Sequence, residues 1–480
     1  MVAIKRQAPT FTSADAVRIA RETYGLDVMV APLPGEHDQN FRLTATDGTA
    51  YVLKVSHAAE DPAVLDLQNQ VLARLAECAP TLALPRVLPT AAGAPTGTVP
   101  GAAGATHLTR LLTYVHGRPL TLVNPHIPAL LHSLGHLLGT VDRTLLDFDH
   151  PAARRELKWD LARAGWVRAY LPHITSPERR ALATRFLDRF ETDALPALPT
   201  LRASVIYHDA NDYNVLVSSP LPAGRGAGGE DPSVSPPRPS ASSASSAVTS
   251  SLPPSMSSVP SVSSVVRSAE PGEGIVIGLI DFGDTLRTAT VSELAIAAAY
   301  AMMGKPDPLA AAAHVVAGFH AALPLTEAEL AVLYPLIGGR LAMSVTNSAY
   351  QRAVDPENTY LQVSDAPAWA LLGRLADTPP ALAHYTFRAA CGLPACPQTP
   401  AVEAWLRTHD HEMASVVDAD LTGGKALVLD LSVGSRDLGN FPDFAATIPF
   451  TDQVVARMAE AGAAVGVGRY DEARPIYTTD

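Results

Sequence analysis

Lysine is nearly missing from this 480-residue chain: it occurs only at Lys5, Lys54, Lys158, Lys305 and Lys425, and arginine carries the rest of the positive charge. That preference is a compositional bias. It makes Lys54 conspicuous, because this lysine stands inside the apolar run AYVLKVSH. Cysteine is scarcer still, at Cys78, Cys391 and Cys396. Three cysteines give no disulfide framework and suit a reducing compartment. Cys391 and Cys396 are spaced like half a zinc site, but no second Cys/His pair answers them, so a plain loop is expected. Positive charge is in deficit, with 36 Lys and Arg against 48 Asp and Glu. A net charge of −12 excludes the basic face of a general nucleic-acid binder. The opening MVAIKRQAPTFTSADAV has no apolar core of a secretory signal, and the longest strongly apolar run, 294–303, is too short to span a bilayer. The expectation is a soluble, cytoplasmic protein with no nucleic-acid and no membrane partner.

What is present is enough apolar material, 47% of residues, to build a sizeable core. The length predicts two or three domains. One segment stands apart. Residues 219–274 are dominated by Ser, Pro, Ala and Gly and contain no Phe, Trp or Tyr, so disorder is expected there. The segment separates NVLV from IVIGLIDF, two β-rich runs that would otherwise form a hairpin. Lengthening a four-residue turn to about fifty residues costs only roughly 2 kcal/mol, which a packed sheet tolerates.

Upstream, Ser13 to Tyr24 reads as a helix capped by Thr12 or Ser13. Asn40 to Thr46 and Ala50 to Ser56 read as strands joined at Asp47-Gly48. Asp61 to Ala76 carries Leu65, Leu72 and Leu75 at helical spacing, and Leu108 to Val115 reads as a further strand. Leu130 to Leu146 places Leu134, Leu138, Val141 and Leu145 on one helical face. After Asp284 the chain is predicted mostly helical to about Thr408. Strands cluster early and helices late, which gives an α+β class: a small sheet-rich lobe over 1–115 and a larger helical lobe over 116–408. Residues 409–480 form a short α/β extension. Within it KALVLDLSVGS reads as a buried strand and Phe450 to Ala461 as a helix, while His409-Asp410-His411-Glu412 reads as a solvated linker.

The stretch VIYHDANDYNVLV, Val205 to Val217, holds more polar groups than a turn needs. Asp209 and Asn214 are five apart, and Asp281 ends the next apolar strand in IDFGD. Phosphoryl transfer uses this inventory: one carboxylate receives the acceptor's proton, and an amide and a second carboxylate hold Mg²⁺ against the phosphates. The Asp-x4-Asn spacing followed by Asp-Phe-Gly is shared with the protein-kinase signature. Lys54, with Val52 and Ser56 on one strand face, lies where a lysine would reach donor phosphates. LPGEHDQNFRL before it would cover them, although it has only Gly35 and no GxGxxG. The helix that should pair with Lys54 offers Gln68, with Asp66 and Gln70 alongside, and no glutamate. The pairing is therefore expected to be a hydrogen bond or to use Asp66.

Through EHDQNF, YVLKVSH, FDHPAARRELKWDLARA, HDANDYNVLV, GLIDFGDTLRT, NSAYQR and PENTYL, the chain resembles the aminoglycoside phosphotransferase/choline kinase family. Within it the similarity runs toward hydroxylysine kinases and related bacterial domains. The resemblance covers about residues 10–408 apart from the insertion. It implies a bilobal protein-kinase-like fold, with a nucleotide-binding N-lobe and a catalytic C-lobe, Mg²⁺, and ATP or GTP as donor. Matched residue by residue, it implies Asp209 as catalytic base, Asn214 and Asp281 as metal ligands, and Lys54 as the phosphate-contacting lysine; Gly35, Asn40 and Gln68 are expected around the donor with it. The acceptor is expected to be a small amine-bearing alcohol, its cation met by Asp212, Asp284, Tyr350, Tyr360, Asp365 and Trp369. The runners-up are an aminoglycoside-modifying enzyme and a non-catalytic nucleotide-binding module of a fusion protein. One departure stands out. The family commonly shows His-Gly-Asp, and this chain has Tyr207-His208-Asp209; either Tyr207 takes over the histidine's role or the loop sits differently. LVLDLSVGS and GVGRYDEAR resemble the connector of bacterial kinase–peptidase–aminotransferase fusions, whose later chemistry is not expected here.

Overall fold

The structure is a computed structural model that describes residues 9–35, 38–101, 104–218, 275–354 and 365–395, and the backbone of three strands beyond them. The expected disordered insertion 219–274, the junction residues 409–412, the helix at 450–461, Tyr360 and Cys396 lie outside the described residues.

Helix α1, Ser13–Tyr24, starts at a reciprocal capping box: Thr12 Oγ1 accepts from the Asp15 N–H at 3.1 Å, and the Asp15 carboxylate accepts from the Thr12 N–H at 2.9 Å. It stops at Gly25, whose φ of 70° only glycine adopts freely. Its buried face, Ala16, Ile19, Ala20 and Tyr24, lies on an antiparallel sheet. The sheet is built from β1 (Val28–Leu33), β2 (Gln39–Ala45), β3 (Ala50–Val55), β4 (Val87–Leu88), β5 (Gly97–Pro100) and β6 (Thr106–Thr113), in the order β1-β2-β3-β6-β4 with β5 also on β6.

Strand alternation divides the sheet's two faces. Phe41, Leu43, Leu53, Val55 and Leu111 pack under α1. Val52 and Leu112 join the larger core with helix α2 (Pro62–Cys78), which contributes Leu67, Val71, Leu72 and Leu75. Lys54 and Arg110 are register partners on that second face.

The larger lobe contains β7 (Arg118–Pro119), α3 (Pro128–Leu145), α4 (Trp166–Tyr170), α5 (Pro177–Arg189), β8 (Ala203–Ile206), β9 (Val215–Val217) and β10 (Val276–Leu279). It continues with β11 (Leu286–Ala289), α6 (Val291–Met302), α7 (Pro308–Ala322), α8 (Glu327–Val354), α9 (Asp365–Ala376) and α10 (Pro380–Ala390). β9 and β10 pair antiparallel across the insertion, as expected. The stretch after Asp284 differs from expectation: before any helix it forms β11, which pairs antiparallel with β8. Four residues are too few to show a period, and only the partner strand reveals them as β. The polar stretch 207–214 is thus suspended between the β8–β11 and β9–β10 pairs, a base that cannot shift without breaking two ladders.

Helices α3 and α7 cross so closely that a Cβ on Gly135 would stand 1.9 Å from the Val315 carbonyl oxygen, and one on Gly318 1.9 Å from that of His132. α8 is long and apolar enough to cross a membrane by length and composition, but 83% of its apolar window is buried inside this fold. It is the central core helix. In the extension, β12 (Val428–Leu429), β13 (Val465–Arg469) and β14 (Pro475–Thr479) form a sheet in the order β12-β14-β13.

Candidate active site

The chain leaves β8 through Tyr207 and His208, both fully buried. The Tyr207 ring meets Phe282 edge-on at 4.9 Å, and its hydroxyl donates to the Ile280 carbonyl. The loop is thereby latched to the IDFG strand end. His208 has φ 71°, the left-handed region where glycine is unstrained. This is where the resembled pattern carries glycine, and His208 takes a glycine-like backbone conformation there. A strained residue persists only where its surroundings hold it. Here the His208 N–H donates to Glu293 Oε2 of α6 at 2.6 Å. Burial pushes the imidazole pKa down, and neither ring nitrogen has a hydrogen-bond partner.

Asp209 follows directly. Its Oδ1 accepts from Asn211 Nδ2 at 2.8 Å and its Oδ2 from Asn214 Nδ2 at 2.6 Å. Asn211 Oδ1 in turn accepts from the backbone N–H of Tyr213 (2.9 Å) and Asn214 (3.2 Å), an Asx turn that sets the loop's curvature. The polar residues of the stretch therefore aim one carboxylate. Burial, then the neighbouring Asp284, pushes the Asp209 pKa well above the usual carboxylate range, while the Asn211 bond and Arg340 oppose it.

Asp281, the end of the next strand, also sits at positive φ, 58°. Its Oδ1 accepts from the Gly283 N–H at 3.2 Å and from Lys54 Nζ at 3.3 Å. The Lys54 charge holds the Asp281 pKa down against its desolvation, so it stays an anion. Arg155 donates to the carbonyls of Gly283 and Thr285 and pins the turn behind it.

Lys54 is buried, and its second carboxylate is Asp38 at 3.4 Å. This corrects the expected pairing with α2. Gln68 does face inward, but its Oε1 accepts from Arg110 Nη2 at 2.6 Å. Asp66 is turned away to His150 (3.1 Å) and Gln70 (2.8 Å). The reason is spatial: Arg110 of β6 fills the gap between α2 and Lys54. In the covering loop, Asn40 Nδ2 donates to the Pro34 carbonyl at 2.9 Å. A Cβ at Gly35 would lie 2.2 Å from the Asp38 carbonyl oxygen and 2.7 Å from Asn40 Nδ2, so no side chain fits there.

These groups fit a Mg-nucleotide. Asp281 offers hard carboxylate oxygens beside the buried Lys54, and Asn214 an amide oxygen from the loop that holds Asp209. Among the described residues no cluster of three or more His, Cys, Asp or Glu could cage a metal alone. A two-residue oxygen site suits Mg²⁺, which keeps waters and substrate phosphates in its shell. Burial pushes the Cys391 thiol up to about 12, which suits a loop cysteine and not a thiolate ligand.

The expected acceptor residues divide. Asp284 lies close enough to act on Asp209. Asp212, its carbonyl held by the Thr121 N–H at 2.9 Å, has Lys305 and His126 nearby, and burial raises its pKa. Tyr350, Asp365 and Trp369 lie further along, and the protein's own cations already engage them. Lys158 stands 5.6 Å from the Tyr350 ring and 4.7 Å from Trp166, Arg179 stands 5.3 Å from Trp369, and Arg352 pairs with Asp365 at 2.7 Å. Asp365 and Trp369 line a cavity of about 250 Å³ together with His173, Arg179 and Arg352. The acidic, aromatic-lined ammonium pocket expected there is instead rich in cations. Sequence reasoning missed Asp38, Arg110 and Glu293. For the last two a signal existed: each is a charge inside an apolar run, LTRLLTY and VSELAIAAAY.

Residues 30–227 match the family described as APH, phosphotransferase enzyme family. Hydroxylysine kinase of Mus musculus is 27% identical over 401 residues, covering 77% of this chain and 90% of that protein. Hydroxylysine kinase of Danio rerio is 26% identical over 388 residues, with 77% and 93% coverage. A solved structure of a microcompartment-associated aminopropanol kinase aligns with a TM-score of 0.50 at 15% identity, over 80% of this chain and 99% of that one. That likeness speaks to the protein-kinase-like fold. The chain is a phosphotransferase with a hydroxyl group as acceptor.

Proposed function

We propose that this chain transfers the γ-phosphoryl group of ATP or GTP, with Mg²⁺, to the hydroxyl of a small hydroxy amino acid or amino alcohol of the hydroxylysine type. What carries it is that Asn214 binds Asp209, Lys54 binds Asp281 and the Asp281 charge reaches Asp209, in a chain similar to hydroxylysine kinases along 90% of their length. When bound, Mg²⁺ supplies neutralisation of the phosphate charge and a template for in-line displacement. Everything else is positioning by the chain. Lys54 draws the phosphates toward β3, and Asp281 and Asn214 offer oxygens to the metal. Asp209, aimed by two asparagine amides, accepts the acceptor's hydroxyl proton as attack proceeds.

The charge pattern favours an amino acid over a simple amino alcohol. Lys158, Arg179 and Arg352 gather around Tyr350, Trp369 and Asp365, which suits an acceptor that carries a carboxylate as well as an amine. The same pattern disfavours a polycationic aminoglycoside. The test is nucleoside diphosphate release by the full chain with Mg²⁺ and ATP or GTP, against hydroxylysine, ethanolamine, choline, homoserine and kanamycin. Acceptor-dependent release with hydroxylysine or homoserine, lost in Asp209→Ala, supports the reading. Release with kanamycin alone transfers it to antibiotic modification, and nucleotide binding with silence across the panel transfers it to a non-catalytic module.

A further inference from the structure

Arg110 is the antiparallel register partner of Lys54, and directly opposed residues put their side chains on the same face of a sheet. Two like charges therefore stand opposite one another, an arrangement that ordinarily destabilises a sheet. Arg110 is also only 2% exposed. Its hydrogen-bond partners are neutral: Nη2 donates to Gln68 Oε1 at 2.6 Å and Nη1 to Asn69 Oδ1 at 3.3 Å, while Nε has no partner. Buried charges are normally matched by an opposite charge. The carboxylates whose field reaches Arg110 most strongly, Asp38 and Asp281, both spend an oxygen on Lys54. A guanidinium is thus fixed in the cleft by two amides that leave its charge undiminished.

We propose that Arg110 is a second donor-phosphate cation, set behind Lys54 by Gln68 and Asn69 of α2, so that the two side chains together present a doubly positive floor to the polyphosphate of a nucleoside triphosphate. The inference rests on the donor site proposed above. It also explains why α2 carries amides where a lysine-pairing acid was sought. A carboxylate at 68 would neutralise Arg110 and weaken the floor.

The experiment measures binding of Mg-ATP and Mg-GTP, and of adenosine and guanosine, to the full chain by calorimetry, alongside the Tm of each variant without nucleotide. Arg110→Met is expected to weaken triphosphate binding by about tenfold or more, with nucleoside binding little changed, because the lost attraction is Coulombic and acts on phosphate. Its Tm without nucleotide should hold or rise, since removing a buried cation that lacks an anion relieves the fold. Arg110→Lys keeps the charge and should stay within about threefold of wild type. Gln68→Glu should weaken triphosphate binding, whereas an α2 acid that served by pairing with Lys54 would strengthen it. Wild-type triphosphate affinity in Arg110→Met, equal losses for nucleoside and triphosphate, or tighter binding by Gln68→Glu each overturns the proposal. If Arg110→Met does not fold, Arg110→Lys and Gln68→Glu decide. Failure of the wild-type chain to bind either triphosphate overturns the donor-site reading itself, and this inference with it.

Discussion

Asp38, just before β2, holds Lys54 of β3, with a carboxylate oxygen 3.4 Å from the ammonium. Lys54, which we propose draws the donor phosphates, is thus shared between Asp38 and Asp281 at 3.3 Å, and α2 takes no part. A phosphate arriving at Lys54 competes with the Asp38 carboxylate and is repelled by it. Asp38→Asn keeps the shape and removes the charge. Removing a competing charge at this distance is worth on the order of 1 kcal/mol, so Mg-nucleotide affinity should tighten roughly three- to tenfold. A calorimetric titration decides the matter: weaker binding by Asp38→Asn would mean that Asp38 presents Lys54 to the phosphates and does not compete with them.

Asp209 and Asp281 stand on two different loops and should fail differently. Asp209 accepts its bonds from loop amides near Asp284, and the proposed function makes it the base toward the acceptor. Asp209→Ala should lower kcat by about 10³-fold, within the range of general-base removal, with nucleotide Kd nearly unchanged. Asp281→Ala takes a metal-side anion and a Lys54 partner together, and should raise the Mg-nucleotide Kd by about tenfold or more. Equal, mild effects in both would refute the division of roles.

How much of this was legible follows the sequence separation of the contacts. The Asp209–Asn214 bond spans five residues, and the Thr12–Asp15 capping box spans three; local patterns of that kind can be read directly. So can the β9–β10 pairing across 219–274, because both strands announce themselves by composition. The Lys54–Asp281 contact joins residues 227 apart and was reachable only because the Asp-Phe-Gly motif gives Asp281 a role. No motif marks the Arg110–Gln68 bond, 42 residues apart, and EHDQNF contains Asp38 without showing that it meets Lys54. The aromatic cluster misled for a related reason. Tyr350 and Trp369 read as a cage for a foreign cation, but Lys158 and Arg179, nearly two hundred residues earlier, fold over those rings first.

The α3–α7 crossing makes a matched pair of glycine substitutions informative. Gly135→Ala would drive a methyl carbon to 1.9 Å from the Val315 carbonyl oxygen, a backbone atom that cannot rotate away. Destabilisation by about 1–3 kcal/mol is expected, despite alanine's better helix propensity. Gly373 lies within α9, and an added methyl there would meet nothing within 4 Å. Gly373→Ala should gain up to about 1 kcal/mol. Thermal melts of the two variants should move in opposite directions, and a rise in both would show that α3 and α7 separate more easily than their backbone contact implies.

Glu293 links the catalytic loop to the pH dependence of stability. It is fully buried in α6, accepts from the His208 N–H at 2.6 Å, and its pKa is pushed up to about 7, first by burial. Asp142 of α3 is likewise fully buried with both carboxylate oxygens unpartnered, and burial and Glu293 push its pKa up as well. Arg202 is engaged by Glu329 at 2.9 Å, and Arg340 acts on Glu293 only as a lesser opposing charge. Because the folded chain keeps a proton that the unfolded chain releases above its ordinary carboxylate pKa, the folded state binds more protons between the usual glutamate value and about 7. Stability therefore falls as pH rises through that window and levels off above it, by a few kcal/mol at most, on the order of 3. The Tm should drop as the buffer is taken from about pH 5 to about pH 7.5. Asp142→Asn removes a second buried carboxyl whose pKa is raised beside Glu293, and should reduce that slope while leaving the His208 bond in place. If the slope survives intact in Asp142→Asn, Asp142 contributes nothing to it; if it survives in Glu293→Gln, the anchor of the His208 loop does not carry the proton.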